Sequence, residues 1–419
     1  MTAKHIVIVG AGYAGLLCAI RLARQTRRDQ ARITLVNAGD HFIERIRLHE
    51  WLSGGPLAAH PLPRLLQGTG VEFINGRMTS LDLAAKTLHI EHSAATPSKS
   101  PLLLDRDAQG EISYDRLVYA LGSHTDRWSI PGVAEHSSTL EGPSAEALRT
   151  QLPGLADRGG HLAVIGSGLT AIETVTELAS AFPALRLTLV TSGVLGSDLS
   201  AGGQAHLRAT FSRLGIALLE HTRVERLEAG RILSADRREV SFDACLWTFD
   251  ACLWTAGFVA PPLAREAGLA VNQRGQVQVD SALRALGHDS IQVVGDSAAV
   301  DLPWGTLRMG CVSAMPMGAY VADQLAADLA GQPWKPFRFG FQLRCISLGR
   351  RDGLVQMVSP DDRPTRQIVT GRAAALVKEG ICRYTLGMIR AERYIRRAFF
   401  WPQPKAVTPA ELPQHYSYR

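Results

Sequence analysis

Two short strings in this chain carry chemistry in their spacing. Gly10-x-Gly12-x-x-Gly15 follows the apolar run Ile6 to Val9, and Gly166-x-Gly168-x-x-Ala171 follows the run "HLAVI". Each stands where a buried strand has to turn sharply into a helix. The first glycine permits the turn, the second lets a pyrophosphate approach the backbone, and the third small residue lets helix and strand pack closely. The helix N-terminus then turns its free N–H groups toward the phosphates. One such string is weak evidence. Two in one chain, each in strand–turn–helix context, predict two dinucleotide sites.

The residues around these strings add detail. The strand after the first, "RITLV", ends in Asn37, where an acidic residue would usually hold the ribose; an amide can still bond a ribose hydroxyl. The strand after the second ends in Thr191-Ser192, which offers neither an acid that selects against a 2′-phosphate nor an adjacent arginine that would bind one. The sequence therefore leaves NADH and NADPH both open. Glu173 falls in the first turn of the second helix, where an acid is also favoured by the helix dipole alone. A third element, "IQVVGDSAA", brings a strand to Gly295-Asp296 ahead of a long helix rich in small residues.

The elements that must position these residues repeat at domain scale. From each fingerprint the chain runs through a β-rich meander to a strand and a small-residue turn, Ala120-Leu121-Gly122 in the first case and Thr255-Ala256-Gly257 in the second. The expected fold class is α/β, with two Rossmann-like domains. The boundaries expected are 1–142 with 286–332 for the first domain, 143–285 for the inserted second, and 333–419 for a C-terminal region. A chain of 419 residues has room for this.

The order of motifs resembles the two-dinucleotide-domain flavoproteins of the pyridine nucleotide-disulfide oxidoreductase superfamily. Within it, "HFIERIRLHE" and "RMGCVSAMPMGAYVAD" are most similar to type II NADH dehydrogenases and their apoptosis-inducing-factor-like relatives. The resemblance implies FAD on Gly10, Gly12 and Gly15, with Asp296 on the ribityl chain and the helix after Met309-Gly310 under the flavin pyrimidine. It implies NAD(P)H on Gly166, Gly168 and Ala171, and Glu173 close to the nicotinamide and flavin. Arg45, Arg47 and His49 follow the segment that approaches the flavin in this family, where a cation could face the flavin or the FAD phosphates. The implied activity is hydride transfer from NAD(P)H to flavin and on to an acceptor, foremost a quinone. A soluble reductase of ferredoxin or a small molecule, and a flavin-bearing interaction protein, are the alternatives.

Departures from the family pattern narrow this. No Cys-x4-Cys pair occurs between Phe42 and Gly54, and Cys345 has no partner cysteine between Asp115 and Gly160, so thiol chemistry is not expected. The six scattered cysteines include no CxxC pair and suggest neither a zinc site nor a disulfide framework. Glutamines of the quinone motif are replaced by "CVSAMPMGA", leaving Met315 and Met317 as apolar candidates to line a ring-sized slot.

Charge is uneven. Between Arg372 and Lys405 stand eight Lys or Arg against Glu379 and Glu392, which accounts for the whole net charge of +6. Interleaved with Ile, Leu, Met, Tyr, Phe and Trp, this segment (372–405) predicts an interfacial helix on anionic lipid, or else a basic helix docked on the body or in a homodimer. No nucleic-acid module accompanies the charge. With no run of about eighteen apolar residues and no signal-peptide core at Met1 to Gly10, a cytoplasmic location, peripheral at the membrane face, is expected.

One further feature stands apart: Phe242 to Thr248 is repeated unchanged as Phe249 to Thr255. Seven is odd, so a lengthened strand would reverse its inside–outside alternation. The expectation is that one copy forms the strand while the other bulges out without a chemical role.

Overall fold

The computed structural model describes residues 3–92, 110–234 and 246–404. Its first layer is an eight-stranded sheet. The fingerprint strand Lys4–Val9 lies near its centre, flanked in parallel by Ala31–Asn37 and Arg116–Tyr119, and His288–Val293 pairs in parallel with the latter. The meander Glu72–Asp82, Thr87–His92 and Gly110–Ser113 continues the sheet beyond Ala31–Asn37. Strands covered on both faces read as unbroken apolar runs, and Ile6 to Val9 are buried accordingly.

The helix Tyr13–Ala23 is buried almost all round because the sheet covers one side and the helix Cys311–Leu329 the other. Small residues make this approach close. A side chain at Gly15 would meet the Gly10 carbonyl at 1.9 Å, and one at Gly318 the Ala14 carbonyl at 2.2 Å.

The second unit repeats the plan. Ala217–Leu219, Arg186–Val190, His161–Ile165 and Ala251–Trp254 form a parallel four-stranded sheet in that order. The helix Leu169–Ala181 packs on it. Even side-chain detail recurs. Asp115 Oδ2 accepts from His5 N–H at 2.8 Å and Asp250 Oδ2 from His161 N–H at 2.6 Å, and both histidine Nε2 atoms meet a threonine hydroxyl on the neighbouring strand.

Two crossings join the units, where His124–Thr125 pairs antiparallel with Phe258–Val259. Ala264, Leu269, Val277 and Leu283 lie in the core of the first unit. We therefore propose that the inserted unit returns to the first at this crossing, ahead of the position 285 expected from sequence. Beyond the long helix, an antiparallel sheet of Leu343–Ser347, Gly353–Val358 and Pro364–Thr370 leads into the helix Gly371–Ala391.

The repeated heptad is used twice, which corrects the expectation of one surplus copy. Leu246–Thr248, the end of the first copy, pairs antiparallel with Arg231–Leu233 as the third strand of the second meander. Ala251–Trp254, from the second copy, is the parallel strand beside His161–Ile165. Phe249-Asp250 links them in the role that Tyr114-Asp115 fills in the first unit. The start of the first copy, Phe242 to Cys245, lies outside the described residues.

Candidate active site

Three segments converge at the end of the first sheet. Gly10 has φ +102°, and a side chain there would meet the Ala120 carbonyl at 2.2 Å, so only glycine fits this turn. Gly12 has nothing within 4 Å of where a Cβ would stand, which leaves room for a phosphate against its backbone. Asn37 holds the turn from the side: its Oδ1 accepts from Ala11 N–H at 2.9 Å and its Nδ2 donates to the Gly39 carbonyl at 2.8 Å. The amide keeps one N–H free for a ribose hydroxyl.

Asp296, half-buried, ties the other two segments together. Its Oδ2 accepts from Ser123 Oγ at 2.7 Å, just past the turn at Gly122, and its Oδ1 from Gly310 N–H at 2.7 Å. Ser297 Oγ donates to the Gly122 carbonyl at 3.1 Å. Gly295, with φ +70°, faces the Ala14 methyl at 3.3 Å from a would-be Cβ. Met309-Gly310 thus brings the start of the helix Cys311–Leu329 beside the fingerprint helix. An open phosphate cradle, a carboxylate with lone pairs to spare and a helix N-terminus at one mouth fit the donor and acceptor pattern of FAD.

Arg45 and Arg47 are both engaged by protein groups. Arg45 donates to the Ser123 carbonyl at 2.7 Å and pairs with Glu141, which leaves it beside the Gly122 turn. Arg47 is ringed by Glu44, Glu50 and Glu379 at 3.4, 3.1 and 2.9 Å. We therefore read Arg47 as a tie between this segment and the C-terminal helix, because three carboxylates already balance its charge. Met315 and Met317 are buried in the first core and pack there.

The second fingerprint is built alike. Gly166 has φ +149° and lies against Thr255 and Ala171, Gly168 has open space before it, and Gly257 turns the chain with φ +70°. A cleft runs from Gly166 and Ser167 past Val190 and Ser192 to Thr222, Arg223 and Val224, with Ile130 and Trp254 among its walls. The buried Trp254 indole N–H has no hydrogen-bond partner among the described residues.

Between the units lies a buried ion pair. Lys378 Nζ, on the C-terminal helix, stands 2.8 Å from Glu173 Oε1, which also accepts from Ser347 N–H at 3.0 Å. Burial alone would raise the Glu173 carboxyl, but Lys378, with His49 and the Ser347 N–H, outweighs it and holds the group below the usual carboxylate range. Lys378 is shifted the opposite way: its burial is overcome chiefly by Glu173, and its ammonium is held above the ordinary lysine value. Beside them His49 is 4% exposed, burial pushes its basicity down, and its Nε2 has no partner among the described residues. Sequence reasoning singled out Glu173 but not its partner Lys378, which a basic tail conceals among its neighbours.

The family model for pyridine nucleotide-disulphide oxidoreductases matches residues 4–324. The chain belongs to that family. It is thus an oxidoreductase of the two-domain Rossmann type, and FAD and NAD(P)H are the cofactors of the family. An NADH dehydrogenase-like protein of Mycobacterium tuberculosis is 27% identical over 82% of this chain and 86% of its own length. A type II NADH:quinone oxidoreductase of Staphylococcus haemolyticus is 26% identical over 90% of this chain and 94% of its own. The sulfide:quinone oxidoreductase of Aquifex aeolicus has the same fold, with a TM-score of 0.77 at 20% identity, covering 93% of this chain and 92% of that one. So does the NDH2 of Plasmodium falciparum solved with NADH, with a TM-score of 0.74 at 12% identity, covering 94% and 99%.

Proposed function

We propose that the chain oxidises NAD(P)H with FAD and passes two electrons to a quinone at a membrane surface. Overall, NAD(P)H and one proton convert quinone to quinol. The FAD bound at Gly10, Gly12, Gly15 and Asp296 supplies the hydride-accepting ring; the chain supplies alignment and the proton path. The observation that carries the reading is the Glu173–Lys378 pair. Two of the three ammonium protons of Lys378 are directed at Glu173 and, at 3.5 Å, at the Cys345 carbonyl. The third has no acceptor among the described residues and is free to bond a quinone oxygen. A charge pair kept out of water beside the reacting rings suits an acceptor that takes up protons with its electrons, whereas a one-electron protein acceptor needs no such donor.

The C-terminal helix supports the membrane part. Ala374, Cys382, Leu386 and Ile389 dock it on the body, while Leu376 is 73% exposed, and Tyr394, Ile395 and Phe400 beyond it are 70%, 60% and 77% exposed. Arg372, Arg383, Arg390 and Arg396 are exposed among them. Among the described residues no helix is long and apolar enough to cross a membrane, so attachment would be to one face.

The test is anaerobic reduction by each nicotinamide, followed by mixing with a short-chain quinone, ferredoxin or dioxygen. Fast reoxidation by quinone alone is expected. Reoxidation by ferredoxin but not quinone would replace this reading with that of a soluble reductase.

A further inference from the structure

The strand ends of the second fingerprint hold a group that sequence order conceals. Arg223 is far from Ser192 along the chain, yet both line the same cleft beside Gly166 and Ser167. Two backbone bonds fix this: Thr222 N–H donates to the Thr191 carbonyl at 2.9 Å and His221 N–H to the Gly193 carbonyl at 3.2 Å. His221 takes φ 55° to turn the chain there.

The charge balance of the cleft is one-sided. Thr191, which stands where an acid would bind both ribose hydroxyls and repel a phosphate, is neutral, and Ser192 beside it is exposed and neutral. Glu220, the carboxylate just before this loop, is engaged elsewhere: its Oε1 accepts from Leu195 N–H and from Arg208, each at 2.6 Å. No carboxylate lines the cleft among the described residues. Arg223 is exposed to it and has no ion-pair or hydrogen-bond partner among them. A free guanidinium with the hydroxyl of Ser192 is a seat for a phosphomonoester, while Trp254 and the branched side chains near it form the apolar wall a purine needs.

We infer that Arg223 and Ser192 hold a ribose 2′-phosphate and that NADPH is the preferred nicotinamide of this chain. This rests on the reading that the second fingerprint binds the nicotinamide dinucleotide. It sets the chain apart from the relatives above, whose names specify NADH.

The test uses the flavin-loaded protein and two ligands that differ only in that phosphate. Calorimetric titration should find adenosine 2′,5′-bisphosphate bound about tenfold more tightly than adenosine 5′-monophosphate, the yield of one charged hydrogen bond. The gap should shrink as salt is added. Arg223→Ala should close it while leaving the affinity for the monophosphate unchanged, which also shows that the exposed substitution has not disturbed the fold. Flavin reduction should show the matching split, with NADPH losing its advantage over NADH in the variant. Equal affinities in the wild type, or a gap that survives Arg223→Ala, overturns the assignment while leaving the nicotinamide site in place. If neither nucleotide binds and neither nicotinamide reduces the flavin, the reading of the second fingerprint falls and the inference falls with it.

Discussion

Glu173 and Lys378 depend on each other in a way that separates stability from catalysis. Glu173→Gln leaves a buried ammonium without its counter-charge and should cost about 3–5 kcal/mol in a denaturant melt. Joining it to Lys378→Met removes both charges and should recover most of that loss, since buried pairs repay little more than their own desolvation. Turnover should not recover with it. We expect Lys378→Met, alone or in the double variant, to leave flavin reduction by nicotinamide intact and to slow quinone reduction about a hundredfold, the usual worth of a positioned acid. Slowing of the first half-reaction instead would place Lys378 in nicotinamide binding. At this scale the sequence was legible where the requirement is local: Gly10 and Gly166 answer to a sharp turn, and Gly12 and Gly168 to open space before the backbone. Lys378 and Arg223 were not, because each owes its partners or cleft to segments remote in the chain and looks like any surface cation until the fold is assembled.

Among the elements, the two heptad copies occupy places of different worth. Leu253, wholly buried in the parallel strand beside His161–Ile165, should cost about 2–5 kcal/mol on replacement by Ala. Removing seven residues altogether should cost far less. Deleting Phe242–Thr248 or Phe249–Thr255 gives the same chain, in which Glu239-Val240-Ser241 precedes Phe-Asp as Glu111-Ile112-Ser113 precedes Tyr114-Asp115 in the first unit. That tripeptide can then take the meander position now held by Leu246–Thr248. The deletion variant should melt at or above the parent temperature and retain flavin reduction by nicotinamide, whereas Leu253→Ala should melt well below it. A deletion variant that unfolds would make Leu246–Thr248 irreplaceable. The parallel strand and its turn were readable because an apolar run before Thr255-Ala256-Gly257 has one place to go. The meander strand was not, since a short edge strand leaves little pattern. The C-terminal helix was half readable: its basic and apolar mix foretold an outward face, and the same mix hid the buried stripe that docks it. Leu376→Glu with Ile395→Glu should reduce sedimentation with anionic vesicles and leave turnover with a water-soluble quinone unaltered.

For the whole molecule, the tail is bound to the first fingerprint helix through a buried charge network. Arg21, 3% exposed, donates to Glu392 and to the Phe399 carbonyl, each at 2.7 Å, and holds Asp323 of the long helix at 2.8 Å. Glu392 has no exposed surface and also accepts from Phe399 N–H at 2.9 Å. Burial would raise the Asp323 carboxyl, but Arg21, Gln25 and Arg397 outweigh it and hold the group below its ordinary 3.8. A carboxyl depressed by folding stabilises at pH above its unfolded value, and that contribution is lost as pH falls through the folded value. Glu173 has the same sign. His5, His49 and His161, lowered first of all by burial, begin a shallower loss at higher pH, as the unfolded chain takes up protons below 6.5 that the folded chain refuses. Urea melts at stepped pH should therefore show stability declining gently below about pH 6.5 and steeply below about pH 4. Arg21→Met should lower stability by about 3–5 kcal/mol at neutral pH, because it strands the buried Glu392 without its cation and leaves Asp323 only Arg397. The variant should also lose much of the acid slope that Asp323 supplies, since Arg21 is the main group that holds this carboxyl below its unfolded value. An unchanged melt at neutral pH would mean that the tail is held by its apolar contacts alone, with Phe399 and Leu386 sufficient to seat it.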